Sequence, residues 1–380
     1  MHYEFVVIGA GLSGLSVAQA LSQKGAKVLL LERLDRLEGS HRLIETPSGL
    51  IANGLRLIPA TEDNHQALKF LANLCGTPVY ALKRELTPKT YEASGFRPFL
   101  GFGDRPPKFI DQISGLLSSH FLDTLPQACS WGLLLERNCK AEVQTKSYVT
   151  RLEVAEGKVK SVVVNGHRKI TADQYIFAGP LNQLRDLIDQ ETWNPKSLSR
   201  YAKIKYWTMV GLDLIHSKDI VTEPFSLFIL DSTTPDELGP CLGQFQNQNQ
   251  SQWISFMEDG DAEDSEILGQ ALKKIKRQIK RAFPDLLDQV AFERICVFPS
   301  WGTSLPHGDF LPELENLHFA NGQLSHLQGS CGSLHQAFTV IKELNLEPEL
   351  KELHWTESEL PPQAVTNPPP PFENMPTDTL

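Results

Sequence analysis

Glu4-Phe5-Val6-Val7-Ile8-Gly9-Ala10-Gly11-Leu12-Ser13-Gly14 is the stretch that decides the fold. Its first five residues form a short apolar run suited to a buried parallel strand. A G-x-G-x-x-G turn follows at once, and Leu12, Leu15, Ala18 and Leu21 then recur at helical spacing until Gly25 ends the helix. Lys27 to Leu31 makes a second apolar strand with Glu32 at its end. Strand, glycine turn, helix, strand and acid within about thirty residues form a complete dinucleotide-binding unit. Each glycine has its own reason. Gly9 permits the tight turn, Gly11 lets a pyrophosphate approach the backbone, and Gly14 lets helix and strand pack closely. Leu12 and Ser13 open the helix, whose free N–H groups and positive dipole end favour phosphate. Glu32 would accept hydrogen bonds from a ribose 2′-OH, and its charge would repel a 2′-phosphate. These residues suit FAD and NAD equally, since both carry adenosine diphosphate.

The whole chain suits such a reading. Its 380 residues are 41% hydrophobic and 22% charged, enough for more than one core and too apolar for a disordered chain. The net charge of −10 argues against nucleic acid as a partner. No apolar run reaches the ~20 residues of a membrane helix, and no signal peptide precedes the first strand. The six cysteines include no C-x-x-C pair, so neither a zinc site nor a disulfide framework is expected, and no metal. A soluble, cytoplasmic protein is the expectation.

The segment Glu32-Arg33-Leu34-Asp35-Arg36-Leu37-Glu38-Gly39-Ser40-His41-Arg42 resembles the second signature of the FAD-dependent amine oxidase superfamily, which includes amine oxidases, protoporphyrinogen oxidases and carotenoid desaturases. In that family a basic segment, a glycine pair and an arginine pass close to the flavin diphosphate. By this resemblance Arg33, Gly39, Ser40 and Arg42 would line the cofactor. Gly49 to Gly54 is similar to the family strand that ends in Asp-x-Gly beside the flavin, with Asn53 in the acid's place. Ala141 to Val149 resembles the strand whose valine meets the adenine, which would be Val149. Ile170 to Pro180, with Ala178 near its end, is similar to the return into the nucleotide-binding domain. Leu317 to Gln323 and Gly329 to Gly332, followed by a helix through Ile341, resemble the closing motif, which would set Gly322, Gln323 and Gly329 at the ribityl chain.

The resemblance implies an α/β fold: a discontinuous Rossmann-like FAD-binding domain (1–60, 125–190 and 291–345) and a mixed-sheet substrate domain (61–124 and 191–290). The cofactor would be FAD, and the activity hydride transfer from a C–N or C–C bond of a small, largely apolar substrate. Three departures motivate an alternative, a flavin-fold protein that has lost catalysis and serves as a binding or assembly module. Gly39-Ser40 replaces a glycine pair, and Asn53 and Gln323 each stand where an acid is usual. The segment Leu327 to Ser330 also lacks the aromatic of an amine cage. No catalytic acid or base is legible. Trp301, His307 and His326 are the candidates near the flavin, and Lys203, Lys205 and Lys218 flank the strand Thr208–Leu214.

Elsewhere the sequence reads as scaffold. Arg151–Val164 alternates around Glu156-Gly157 as a hairpin, and Asn64–Cys75 carries an apolar helical face. Phe96 to Gly103 either lines an entrance or packs the domain. Ser199–Leu230 and Leu242–Glu258 read as strands of a second sheet. Asp264–Ala282 is an amphipathic helix, acidic at its start and basic at its end, in accord with the macrodipole. From about Leu346 a proline-rich tail begins, suited to a linker, a partner's ligand or an arm.

Overall fold

The computed structural model describes residues 2–350 except 48, 56, 77–79, 105, 118–119, 126–130, 221–225, 231–238, 306–308 and 349. The tail beyond residue 350, Cys129 and His307 therefore lie outside the described residues.

The opening unit folds as its periodicity requires. The strand His2–Ile8 runs parallel to Val28–Leu31, and the helix Leu12–Gln23 between them is buried along nearly all its length. Glu142–Gln144 extends the parallel sheet beyond Val28–Leu31, and Arg168–Phe177 joins His2–Ile8 on its other side. Leu317–Phe319 completes this parallel core beside Tyr175–Phe177. The hairpin Val149–Ala155 and Lys158–Val164 pairs with the start of Arg168–Phe177 through its second strand. Helices cover one face: Leu12–Gln23, Glu62–Cys75, Trp131–Asn138 and Gly329–Glu343 share one apolar core. The hairpin and the short helical turns Leu181–Leu187 cover the other.

A second sheet stands apart. Its order is Val290–Ser304, Lys205–His216, Gln250–Glu258, Cys241–Asn247, Leu227–Leu230, Lys89–Glu92 and Gly95–Pro98. One face buries Val210, Leu212 and Trp253 under the helix Ser265–Ala282, which Asp264 caps by accepting from the N–H groups of Glu266 and Ile267. The other face carries Met209, Ile254 and Phe256 and meets Leu55, Phe109 and Ile113.

Three segments lie elsewhere than the sequence suggests. Val290–Ser304 begins the expected third piece of the cofactor domain, yet it pairs with Lys205–His216 in the second sheet. Glu62–Cys75, expected in the substrate domain, packs in the helical layer of the first. Ser199–Tyr201 ends the helix Pro195–Tyr201, and the expected strand starts only at Lys205. Of the Phe96–Gly103 loop, Phe96 packs against Phe228 and Phe283 while remaining 41% exposed, and Leu100 is almost fully exposed.

The second sheet also sets a pH dependence. His216, 2% exposed, holds Ser251 Oγ at 3.0 Å from Nε2, and burial pushes its imidazole down from 6.5 to about 4. Below pH 6.5 the unfolded chain takes up a proton that the folded chain refuses until about pH 4. Stability is therefore expected to fall across that window by up to about 3 kcal/mol. Calorimetric melting temperatures from pH 7.5 to 4.5 check this, and His216→Gln should flatten the slope. A slope unchanged by that substitution contradicts it.

Candidate functional site

At the carboxyl ends of the parallel strands the glycine turn takes the form its residues predict. Gly9 has φ +100°, open to glycine at no steric cost, and a Cβ there would stand 3.2 Å from the Ala178 carbonyl. A Cβ on Gly14 would lie 1.8 Å from the Gly9 carbonyl oxygen, so no larger residue fits between helix and strand. Gly11 differs from both. A Cβ there would meet nothing within 4 Å, and the residue lines an open cavity. Glu32, 7% exposed, accepts from Ala10 N at 2.8 Å and Leu34 N at 2.9 Å, which holds the carboxylate at the same wall.

The cavity, about 910 Å³ in volume, is one continuous space between the two sheets. It stands at the upper end of the roughly 300–1,000 Å³ usual for ligand sites. Fourteen of the expected cofactor contacts line it: Gly9, Gly11, Leu12, Ser13, Glu32, Arg33, Gly39, Ser40, Arg42, Val149, Ala178, Gly322, Gln323 and Gly329. Gly14 does not, since it is buried in the packing behind the turn. Ser13 Oγ donates to the Ser333 carbonyl at 2.9 Å, joining the N-terminal ends of the two helices that line the space. Burial, then the charges of Arg36 and Arg294, hold the Arg42 guanidinium below its usual range. A group of cations in that condition favours an anionic ligand.

The far end is walled by Leu55, Met209, Ile254, Phe256, Phe298 and Trp301. Trp301 packs at 5.6 Å on Phe298. His326 lines the cavity too, with Nε2 3.0 Å from Asp63 Oδ2 and its ring edge-on to His335 at 4.7 Å. Lys205 pairs with Glu258 at 3.3 Å, and none of Lys203, Lys205 and Lys218 lines the cavity.

Two departures from the family pattern acquire a physical reason here. Asn53 Nδ2 donates to the Ser40 carbonyl at 3.1 Å while Oδ1 accepts from Arg294. Gln323 Oε1 accepts from Leu181 N at 2.9 Å while Nε2 donates to the Ser300 carbonyl at 2.6 Å. Each side chain must give and take at once, which an amide does and an ionised carboxylate does not. Both bonds leave the second sheet: Arg294 reaches Asn53, just past the hairpin of Leu43–Thr46 and Gly49–Ala52, and Gln323, just past Leu317–Phe319 of the first sheet, reaches Ser300. Sequence reasoning missed Arg294, Asp213, Asp259 and Ser300, because the partners lie dozens to hundreds of residues away. The positive φ of Ser300 carries no signal in its residue type.

Residues 7–74 match the family model of the NAD(P)-binding Rossmann-like domain. A sequence search of the curated proteins finds no match. Among solved structures, a candidate protoporphyrinogen oxidase from Exiguobacterium sp. 255-15 superposes with a TM-score of 0.64 at 12% identity, over 90% of this chain and 98% of that one. A putrescine oxidase bound to putrescine gives 0.65 at 11%, over 91% and 99%. Cyclohexylamine oxidase from Brevibacterium oxydans IH-35A gives 0.58 at 16%, over 90% and 99%. The likeness extends over almost the whole of each neighbour, and it shows the fold: a Rossmann-like α/β unit with additional mixed sheets, as in these oxidases.

Proposed function

We propose that the protein is an FAD-dependent oxidoreductase that removes hydride from a C–N or C–C bond of a largely apolar organic molecule. One observation carries the reading: a single cavity runs from the glycine turn and Glu32 to the apolar wall of the second sheet. The open space at Gly11 is where a pyrophosphate would meet backbone N–H groups, and Arg42 would neutralise it. Glu32 would receive the ribose, and Val149 would lie against the adenine. FAD bound in this way supplies the hydride acceptor, a chemistry no described side chain offers.

The chain's own residues then bind and orient. Leu55, Met209, Ile254 and Phe256 exclude water from the substrate end, and Trp301 on Phe298 offers a flat apolar face. The only carboxylates among the described wall residues are Glu32 and Asp111. Glu32 is engaged by backbone and Asp111 is exposed, so the apolar end lacks a buried anion for a cationic amine. Of the two wall imidazoles, His41 is stacked on Trp131, whereas His326 is half open to solvent beside Asp63. His326 is the one placed to pass a proton outward.

The test is the absorbance spectrum of the purified chain, followed by anaerobic reduction with neutral polyenes and porphyrinogens against primary amines. A flavin spectrum bleached faster by the neutral compounds is expected. A chain that neither retains nor takes up FAD contradicts the reading.

A further inference from the structure

The strand Val290–Ser304 and its partner Lys205–His216 lose register at one place. Trp207 faces Gly302 and Met209 faces Phe298, so Pro299, Ser300 and Trp301 stand opposite Thr208 alone. Such a bulge bends the strand and re-aims its side chains. At its centre Ser300 has φ +52°, the left-handed region that disfavours a residue with a Cβ. A backbone held there persists only where its surroundings over-determine it.

They do so here. Asp259 Oδ1 accepts from Ser300 N at 3.0 Å and from Thr208 Oγ1 at 2.7 Å, gripping both sides of the bulge. Asp259 Oδ2 accepts from Ser300 Oγ at 2.6 Å. The Ser300 carbonyl is held in turn by Gln323, which belongs to the closing segment of the first sheet. Ser300 is 7% exposed, and Pro299, Ser300 and Trp301 all line the cavity. One carboxylate outside the cavity wall thus fixes the conformation of three residues on it.

We propose that Asp259 and Ser300 are positioning residues. They lock the bulge that presents Trp301 to the substrate end, and through Gln323 they couple that wall to the segment that closes over the cofactor. Neither residue has to touch the reacting atoms. The coupling to the cofactor rests on the flavin reading above; the locking of Trp301 does not.

The decisive experiment uses the full chain with Asp259→Ala and the double variant Asp259→Ala/Ser300→Gly. Glycine adopts the positive φ without help, so it should restore what the lost carboxylate no longer holds. Asp259→Ala is expected to weaken FAD binding, read from quenching of flavin fluorescence, by about tenfold or more. It should also shift the emission of Trp301, read as the difference from the same protein carrying Trp301→Phe. The double variant should recover both to within about threefold of wild type. A role confined to satisfying the Thr208 and Ser300 hydroxyls predicts that Asp259→Ala/Ser300→Ala, which removes the same hydroxyl and keeps the strained φ, recovers as well as the glycine variant does. That result overturns the proposal, as does no recovery by glycine or an Asp259→Ala protein with both readouts unchanged. If Asp259→Ala fails to fold, Ser300→Ala, which loses one bond and keeps the strained φ, should show the same two shifts in smaller measure, and no shift overturns it. If wild type takes up no FAD, the flavin reading fails, while the Trp301 emission and its rescue still decide the clamp.

Discussion

Gly11→Val is expected to abolish FAD binding, by about a hundredfold or more, and to leave the fold intact. The two glycines of the turn separate the functions of fold and ligand. Gly11 has φ −71° and ψ −175°, a backbone any residue adopts, and its missing Cβ faces open space. Valine there costs little beyond its poor preference for the N-cap position, about 1 kcal/mol. Its branched side chain would occupy the space in front of the first free N–H groups of the helix, where a phosphate must come. A displaced phosphate loses several charge-assisted bonds at ~1.5–3 kcal/mol each, which is why the loss is large. Gly14→Ala should do the reverse. Its Cβ would overlap the Gly9 carbonyl oxygen at 1.8 Å, so the helix must move off the strand at a cost of roughly 3 kcal/mol or more. Melting curves of the apoproteins and fluorescence titration with FAD separate the two. A Gly11→Val chain that binds flavin as wild type does would remove the pyrophosphate from this turn.

That contrast also shows why so much of the site was legible. The glycine turn, the helix stripe and Glu32 are separated by few residues, and local sterics fix their geometry. The closing segment was legible for a similar reason: Gly322 and Gly332 stand in close backbone approach, with would-be Cβ contacts at 3.0 Å to Ser333 N and 2.4 Å to the Leu327 carbonyl oxygen. What the residues did not disclose was membership and long-range pairing. The alternation within Val290–Ser304 marks a strand yet says nothing of which sheet it joins. Asn53 and Gln323 read as weakened acids, because the groups that require an amide, Arg294 and Ser300, are brought to them only by the fold. The apolar wall was invisible for the same reason: Leu55, Met209, Ile254 and Phe298 come from four separate segments.

Arg294→Ala is expected to destabilise the folded chain by about 3–5 kcal/mol. Its guanidinium Nη1 lies 2.5 Å from Asp213 Oδ2, and the Asp213 side chain is only 2% exposed. Gln252 Nε2 and Cys296 Sγ also donate to that carboxylate, at 2.9 and 3.0 Å. Burial nevertheless pushes the Asp213 carboxyl up, against the pull of these three partners. Without the arginine the remaining donors are neutral, so the buried charge must either persist unpaired or take up a proton. Asn53 loses its donor at the same time, and with it the tie between the second sheet and the segment that follows Gly49–Ala52. The loss should be larger at pH 8 than at pH 5, because a proton on Asp213 relieves it and a raised carboxyl pKa brings that proton within reach at the lower pH. Asp213→Asn in the Arg294→Ala background should recover most of the stability, since the amide removes the charge and keeps the shape. Denaturant unfolding of the four proteins at both pH values measures the coupling. Equal losses at the two pH values, with no recovery from Asp213→Asn, would mean that Arg294 acts through packing of its stem and not through the buried carboxylate.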